Sequence, residues 1–530
     1  MSLIDNIQRN LFLRDASQGC SRVIIVAGNE RDSRYWQSAF TTSRRDVFRS
    51  DGQVLIDAVT EQGRKGNFLG AIDAWTKSDC GARRTSDSVV LMNMVFGKGK
   101  RLSPFTQALG DRKPAFPTPR YGRAAGRYLT SAELASLYSN SFAHLLGSAG
   151  FSGALLKWGD EILVPNRNLA ADAAQLRDCD AVRFTWRTNI NDDLANQKEW
   201  LVFDRTSLLL EAELCRQPKE TLQSRLAKLS TGNSVVGVNL GSLAISDTML
   251  KEASSIFASD LADHSRWIDW DPYVWIALLS RSRAEWESEK QLEAGRGSRG
   301  ITELEARVPQ FFEKCTEWRH AVETARNRPL RIVTVDFGEP LWVDFGLHGS
   351  LYAAFNSLGG NSEESHCLRE LFGMPHQRDM HGNIVVHSSI PANAQVHGSV
   401  IVGSSVRDSA SIIESSFVMS TTARILEVID GGVCIESAGD ELRIRGPNAV
   451  AFRSIGRALN VGPGQRHSTI IVDGKLIDLR LSELLDSDRA YEDRVEGNVL
   501  SFQEASVLMQ NCQWSEYEAL RATLSAALLS

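Results

Sequence analysis

The chain has 530 residues, 42% of them hydrophobic and without compositional bias, which is enough to bury two or three cores. Its 59 Lys and Arg against 65 Asp and Glu give a formal net charge of −6, which argues against a nucleic-acid-binding surface as the main business of the protein. The eight cysteines are scattered with no CxxC pair, which suits a reducing compartment and gives no zinc signature, and no apolar segment approaches a membrane span, so the cytoplasm is the expected location.

The opening residues, MSLIDNIQRN, lack the basic region and apolar run of a signal peptide. Residues 21–27 (SRVIIVA) read as a strand, followed by a helix containing Arg34, Tyr35 and Trp36, then a strand over 53–59. Residues 65–71 (KGNFLGA) open a helix that continues through Trp75. The alternation predicts an open α/β sheet. A helix entrance containing Gly66 and Asn67 suits either a ligand phosphate or base, or close packing.

Residues 92–119 begin as a buried strand, break at Gly97 and Gly99, and then deliver Lys98, Lys100, Arg101, Arg112 and Lys113. A glycine-rich break after a strand lets backbone N–H groups converge on an anion, and the cations that follow suit a polyphosphate. The fuller pattern, Gly97, Gly99, Arg101, Leu102, Pro104 and Thr106 followed by Lys113-Pro114, resembles the signature loop of the sugar-1-phosphate nucleotidyltransferases, or NDP-sugar pyrophosphorylases. Lys100 departs from it, since the family usually has Thr or Ser there. A strand ending in AGNE, then a GN-containing turn, and only then the GxG loop is similar in order to the pyrophosphorylase part of the fucokinase and fucose-1-phosphate guanylyltransferase group.

After helical residues 130–146, an apolar strand within 151–166 ends at Gly159-Asp160. That places a carboxylate at a strand's C-terminal edge, where open α/β sheets bind ligands and where magnesium finds oxygen donors. The resemblance makes Asp160 the first metal aspartate. Residues 180–250 alternate short strands and turns, and the resemblance assigns Asn239 and Gly241 to sugar hydroxyls and Glu213 and Arg216 to the sugar phosphate. Residues 250–330 read as a helical insertion whose tryptophans, Trp267, Trp270, Trp275, Trp286 and Trp318, are core; residues 292–300 read as an exposed loop and 302–328 as one amphipathic helix.

The strand over 341–344 ends at Asp344, with Gly346 two residues on, and resembles the family's second metal aspartate. Asp160 and Asp344 are then expected within about 5 Å of each other at oxygen-ligand distances. The tripeptides Asp336-Phe337-Gly338 and Asp344-Phe345-Gly346, with His376-Gln377-Arg378-Asp379, superficially suggest a protein kinase, but the elements occur in the wrong order and no lysine strand precedes them.

From Gly382 the pattern changes. Ile384, Ile390 and Val396 fall six apart, and after a register shift Val400, Val406, Ile412 and Val418 continue, with Ala394, Ser404, Ala410 and Ser416 between them. This is the hexapeptide signature of a β-helix of a few coils. Short strands with Gly-rich turns follow over 425–481, and helices over 501–529 cap the end. His387 and His397 raise the question of acyl transfer on the β-helix, though so few coils make a poor acyl-carrier groove and a role in homo-oligomerisation or as a rigid platform fits better.

The expected fold is thus an open Rossmann-like (GT-A type) α/β sheet followed by a short left-handed parallel β-helix, partitioned at 1–380, 381–485 and 486–530. The expected activity is Mg²⁺-dependent transfer of a nucleoside monophosphate from NTP to a sugar 1-phosphate, releasing pyrophosphate. Gly97, Lys98, Gly99, Gly66 and Asn67 would bind nucleotide, Arg101 and Lys113 would act on the phosphates, and Asp160 and Asp344 would hold the metal. Asn239 and Gly241 would face the sugar, with Glu213 and Arg216 at its phosphate. No general base is needed, because a phosphate oxygen is already ionised. The rival readings are a non-catalytic sugar-nucleotide sensor or scaffold, and a bifunctional enzyme with an acylating β-helix.

Overall fold

Five consecutive apolar residues, Val23 to Ala27, are fully buried in the strand Arg22–Ala27, which lies next to the edge strand Leu55–Thr60 of a nine-stranded mixed sheet. The computed structural model describes residues 2–61, 63, 65–78, 89–97, 99–229, 232–294, 304–487 and 489–529. It is a mixed α/β protein with parallel sheets, and its chain forms two compact units. The first comprises Met1–Val95, Ala132–Gly159 and Leu163–Trp342, and the second Phe96–Ser131, Asp160–Ile162 and Val343–Ser530. The units interleave along the chain, whereas the expected partition was linear with a boundary near residue 380.

In the first unit, Leu55–Thr60, Arg22–Ala27, Val89–Met94 and Gly153–Trp158 pair in parallel. Such strands are buried on both faces and read as continuous apolar runs, as VVLMNM does. The long strand Ser234–Ser246 then runs antiparallel to Gly153–Trp158, Ala181–Arg187 and Trp200–Asp204, with a break in register between Asn239 and Leu243. The insertion is helical as expected, over Asp247–Ile256, Trp275–Leu279, Arg283–Ala294 and Phe311–Arg326. Trp270, Trp275, Trp286 and Trp318 are core while Trp267 is only partly buried; Trp270 stacks on Trp275 with centroids 5.4 Å apart and meets Phe68 edge-on at 4.6 Å. The expected single helix over 302–328 is broken in two, with 304–307 helical and the main helix Phe311–Arg326, because Pro309 and the left-handed Gln310 interrupt it. The expected loop over 292–300 is helical to Ala294, and the rest lies outside the described residues.

In the second unit, two sheets share the strands from residue 384 onward, paired in parallel except where Lys475–Ser482 runs antiparallel to Gln465–Val472 at the end of one of them. Ile384, Val400, Phe417, Val433 and Val450 stack in register down one sheet, the first step being 16 residues and the second 17. The interior holds Ile401, Val406, Ile413 and Val418, so the period-six reading is right at Val406 and Val418 and one residue early at Val400 and Ile412. Because side chains alternate along a strand, Val400 and Val402 face away from Ile401, as do Phe417 and Met419 from Val418. All are nonetheless buried. The small residues of the repeat are corners: Ser404 Oγ accepts from Thr421 N at 3.1 Å, Ser437 Oγ from Ser454 N at 3.1 Å and Ser399 Oγ from Ser416 N at 3.2 Å. Each hydroxyl satisfies an N–H that the bend takes out of the ladder.

What buries the outer face of the first of these sheets is aromatic. Phe116 stacks on Phe452 at 4.6 Å and 18°, Phe355 stacks on Phe417 at 4.6 Å and 14°, and Phe105 lies 5.2 Å from Phe452. Phe105 and Phe116 belong to the signature loop, and Phe355 to the helix His348–Ser357 behind Asp344. The outer face of the second sheet is charged, with Arg424 bonded to Asp440 at 2.5 Å and Arg445 to Glu427 at 2.6 Å. The C-terminal helices are Phe502–Gln510, opened by a Ser501/Glu504 capping box, and Trp514–Leu529. Replacing Phe452 by Ala should cost about 3–5 kcal/mol of stability, the range for emptying a large buried aromatic site, measured by denaturant unfolding of the full chain.

Candidate functional site

The signature loop leaves the strand Val89–Met94 and lies in the second unit. Gly97 is exposed, and Lys98 lies outside the described residues. Gly99 takes a left-handed conformation (φ 59°), and a Cβ there would lie 2.6 Å from Thr106 Cγ2 and 2.8 Å from Lys113 Cβ, so this position needs glycine twice over. The loop closes on itself as Leu102 N and Thr106 Oγ1 donate to the Gly99 carbonyl (2.9 and 3.3 Å) and Asp111 N to the Thr106 carbonyl (2.8 Å). Arg101 is exposed. Lys100, the departure from the family pattern, holds its ammonium over the Tyr491 ring, 4.7 Å from the centroid.

Lys113 Nζ forms an ion pair with Asp160 Oδ2, and Phe345 N donates to the Asp160 carbonyl at 2.8 Å, which brings the two aspartate segments together. Asp344 Oδ1 accepts from Gly346 N at 2.6 Å. A Cβ on Gly346 would stand 2.5 Å from Asp160 Oδ2, 2.5 Å from Lys113 Nζ and 2.9 Å from Asp344 Oδ1. Three charged groups therefore crowd over one bare Cα, and the two carboxylate oxygens lie no further apart than the sum of those aspartate distances. Burial opposes the Lys113 charge, but Asp160 and Asp344 outweigh it and hold the ammonium above the ordinary lysine range. Burial, then the charge of Asp160, pushes the Asp344 carboxyl above its ordinary value. The positive charge of Arg101 also bears on both Lys113 and Asp344, so the two carboxylates are faced by two cations.

His348, which the sequence reading passed over, backs this arrangement. Its Nε2–H donates to the Ser103 carbonyl at 2.8 Å and its ring meets Phe105 edge-on at 4.8 Å. Burial, with the nearby Arg466 charge, pushes its pKa down to about 3, so it stays a neutral donor at physiological pH. His387 and His397 are both exposed.

The first unit holds the other expected residues. Asn67 Oδ1 accepts from Trp270 N at 2.5 Å, Asn67 N donates to Asp269 Oδ1 at 2.7 Å, and a Cβ on Gly66 would lie 2.5 Å from the Ile268 carbonyl. The helix entrance is close-packed against residues 268–270. Asn239 is buried at the register break, its Oδ1 accepting from Gly241 N at 3.0 Å. Arg216 pairs with Glu199 at 2.8 Å and is half exposed. Glu213 is instead sealed in the core: it pairs with Arg183 at 2.9 Å, both side chains are fully buried, and the guanidinium lies 4.5 Å from the Trp275 centroid. Glu213 therefore serves a structural ion pair and does not face a ligand.

No protein-family model matches this chain, and a search of curated proteins finds no match. Among the described residues, no group of three or more His, Cys, Asp or Glu is placed to hold a metal ion. Asp160 and Asp344 are a two-carboxylate set, which fits magnesium, because that ion commonly takes one or two carboxylates and completes its shell with water and substrate phosphate oxygens.

Removing one partner of the Arg183–Glu213 pair strands a buried charge, so Glu213→Ala should lower stability by about 3–5 kcal/mol, read by urea unfolding. Glu61, at the end of the strand Leu55–Thr60, gives a pH test. Burial above all, then Asp269 and Asp73, push its carboxyl from 4.5 up to about 7, against the N–H of Lys65 that favours the charged form. Between those values the folded protein keeps a proton that the unfolded chain has lost, so this residue's contribution to stability falls as pH rises through that window. Glu61→Gln should match the wild type near pH 5 and exceed it at about pH 8 by on the order of 3 kcal/mol in unfolding free energy.

Proposed function

We propose that the protein is a Mg²⁺-dependent sugar-1-phosphate nucleotidyltransferase, transferring a nucleoside monophosphate from NTP to a sugar 1-phosphate with release of pyrophosphate. The observation that carries this reading is the convergence of Lys113, Asp160 and Asp344 over Gly346, beside a glycine-rich loop bearing Arg101. A lysine and two aspartates drawn from three separate stretches of chain is the arrangement that phosphoryl transfer asks for, since that reaction needs charge neutralisation and positioning more than covalent chemistry. The finer fold reading, a GT-A type sheet with a short left-handed β-helix, goes with it.

In this mechanism the amides around Gly97 and Gly99, with Arg101, bind the β and γ phosphates, and Lys113 stabilises charge on the transferring phosphoryl group. Asp160 and Asp344 would hold Mg²⁺, which neutralises phosphate charge when bound. The ammonium of Lys113 is held beside both carboxylates by their charge, ready to turn toward a bound anion. Asn239 and Gly241 are the residues that the resemblance assigns to the sugar. The nucleophile is a phosphate oxygen already ionised at neutral pH, so no side chain has to take a proton.

The experiment is pyrophosphate release with Mg²⁺, using each common NTP and dTTP against a panel of sugar 1-phosphates. One pairing should react, and Asp160→Asn should lower its turnover by at least about a hundredfold, the scale of losing one preorganised charge contact at the reacting centre. NTP binding without turnover across the panel would favour a sugar-nucleotide sensor instead, and a chain that binds no NTP would remove the loop assignment.

A further inference from the structure

The loop that carries Lys113 has a second set of partners at the far end of the chain. Ser506, on the helix Phe502–Gln510, is 1% exposed. Its hydroxyl donates to Asp111 Oδ1 at 2.7 Å and accepts from Gln107 Nε2 at 3.1 Å and from the Tyr491 hydroxyl at 3.0 Å. That is the full capacity of a hydroxyl, one donor and two acceptor sites, and two of the three partners lie in the signature loop. The second Asp111 oxygen accepts from Gln510 Nε2 at 2.7 Å. Asp111 is left-handed (φ 63°), a conformation unfavourable for a non-glycine residue that persists where surrounding bonds over-determine it. Lys113 follows two residues later.

The same C-terminal stretch touches the loop at three further points. Ser487 Oγ donates to the Arg101 carbonyl at 2.9 Å, the Tyr491 ring lies under Lys100, and Arg112 lies 4.7 Å from the Trp514 centroid. Every one of these contacts is within the second unit. We infer that Ser506 is a positioning residue for the signature loop: through Asp111 and Gln107 it fixes the turn that aims Lys113, so that the C-terminal helix sets the geometry of the NTP phosphate site. This inference rests on reading residues 97–113 as that site.

The test is amide hydrogen exchange followed by mass spectrometry on the full chain, with Mg·NTP affinity measured on the same samples. The variants are Ser506→Ala, Ser506→Thr and Gln510→Glu; the last, at an exposed position, puts a second carboxylate against Asp111 and carries the test should Ser506→Ala fail to fold. Peptides covering 100–113 should exchange about tenfold faster in Ser506→Ala and Gln510→Glu while those covering 417–435 do not change, and NTP dissociation constants should rise about tenfold. Ser506→Thr, which keeps the hydroxyl, should restore both. Unchanged loop exchange, exchange that rises equally everywhere, or faster loop exchange with unaltered NTP affinity would each overturn the inference. A wild-type chain that binds no NTP would sink the nucleotidyltransferase reading and the inference with it, whereas wild-type binding with unaltered variants sinks the inference alone.

Discussion

The second unit depends on a flat apolar face. The strands at Val400, Phe417, Val433 and Val450 are buried on both sides, and the side away from the coil interior is closed by stacked phenylalanines. Phe116 and Phe105 bring the signature loop onto Phe452, and Phe355 brings the segment after Asp344 onto Phe417. Aromatic pairs bury large areas and add a geometric preference beyond area, so they fix where the attached loops can go. The strands are paired to their neighbours in continuous register, which gives the rings a regular face to stack on. The stacked rings thus hold the loop and the segment after Asp344 on this sheet, and the loop's own hydrogen bonds fix it further.

The charged cluster obeys a second constraint, the lack of a side chain at Gly346. Two carboxylates and an ammonium converge where any Cβ would intrude, so close approach is possible only over glycine. Electrostatics then tunes the groups against each other. Burial opposes the charge on Lys113, yet the two aspartates hold its pKa above the ordinary lysine range, and burial, then the charge of Asp160, raises Asp344. His348 is kept uncharged by burial, and its Nε2–H still donates to the Ser103 carbonyl of the loop.

Much of this was legible in local patterns. The strand Val89–Met94 and the glycine break after it are written as an apolar run and two glycines, and the tryptophan core of the insertion is written as residues too large and apolar to leave in water. The convergence of Asp160 and Asp344 was anticipated from two strand ends 184 positions apart. Glu213 misled because its sequence neighbourhood carries no record that Arg183, on another strand, would claim it inside the core. The period of six marked the repeating strands, but their inward register falls one residue later at Ile401 and Ile413, since steps of 16 and 17 residues between paired strands do not keep a strict sixfold count. Ser506 gave no signal at all, being an ordinary helical serine.

The sequence by itself determined the elements: alternating strands and helices, a glycine-rich loop followed by cations, two aspartates at strand ends and a run of short repeating strands. These follow from hydrophobic periodicity and from the conformations open to glycine, both of which are local properties of the chain. The tertiary structure alone decided the grouping. It placed the signature loop and both aspartates in one unit with the coil and the C-terminal helices, and it left the remaining expected ligand residues in the other. It also decided that Lys100 rests on Tyr491 and that Glu213 is a core ion pair. Those outcomes depend on burial and on partners distant in sequence, and no local pattern encodes which of many possible long-range pairings encloses the least water.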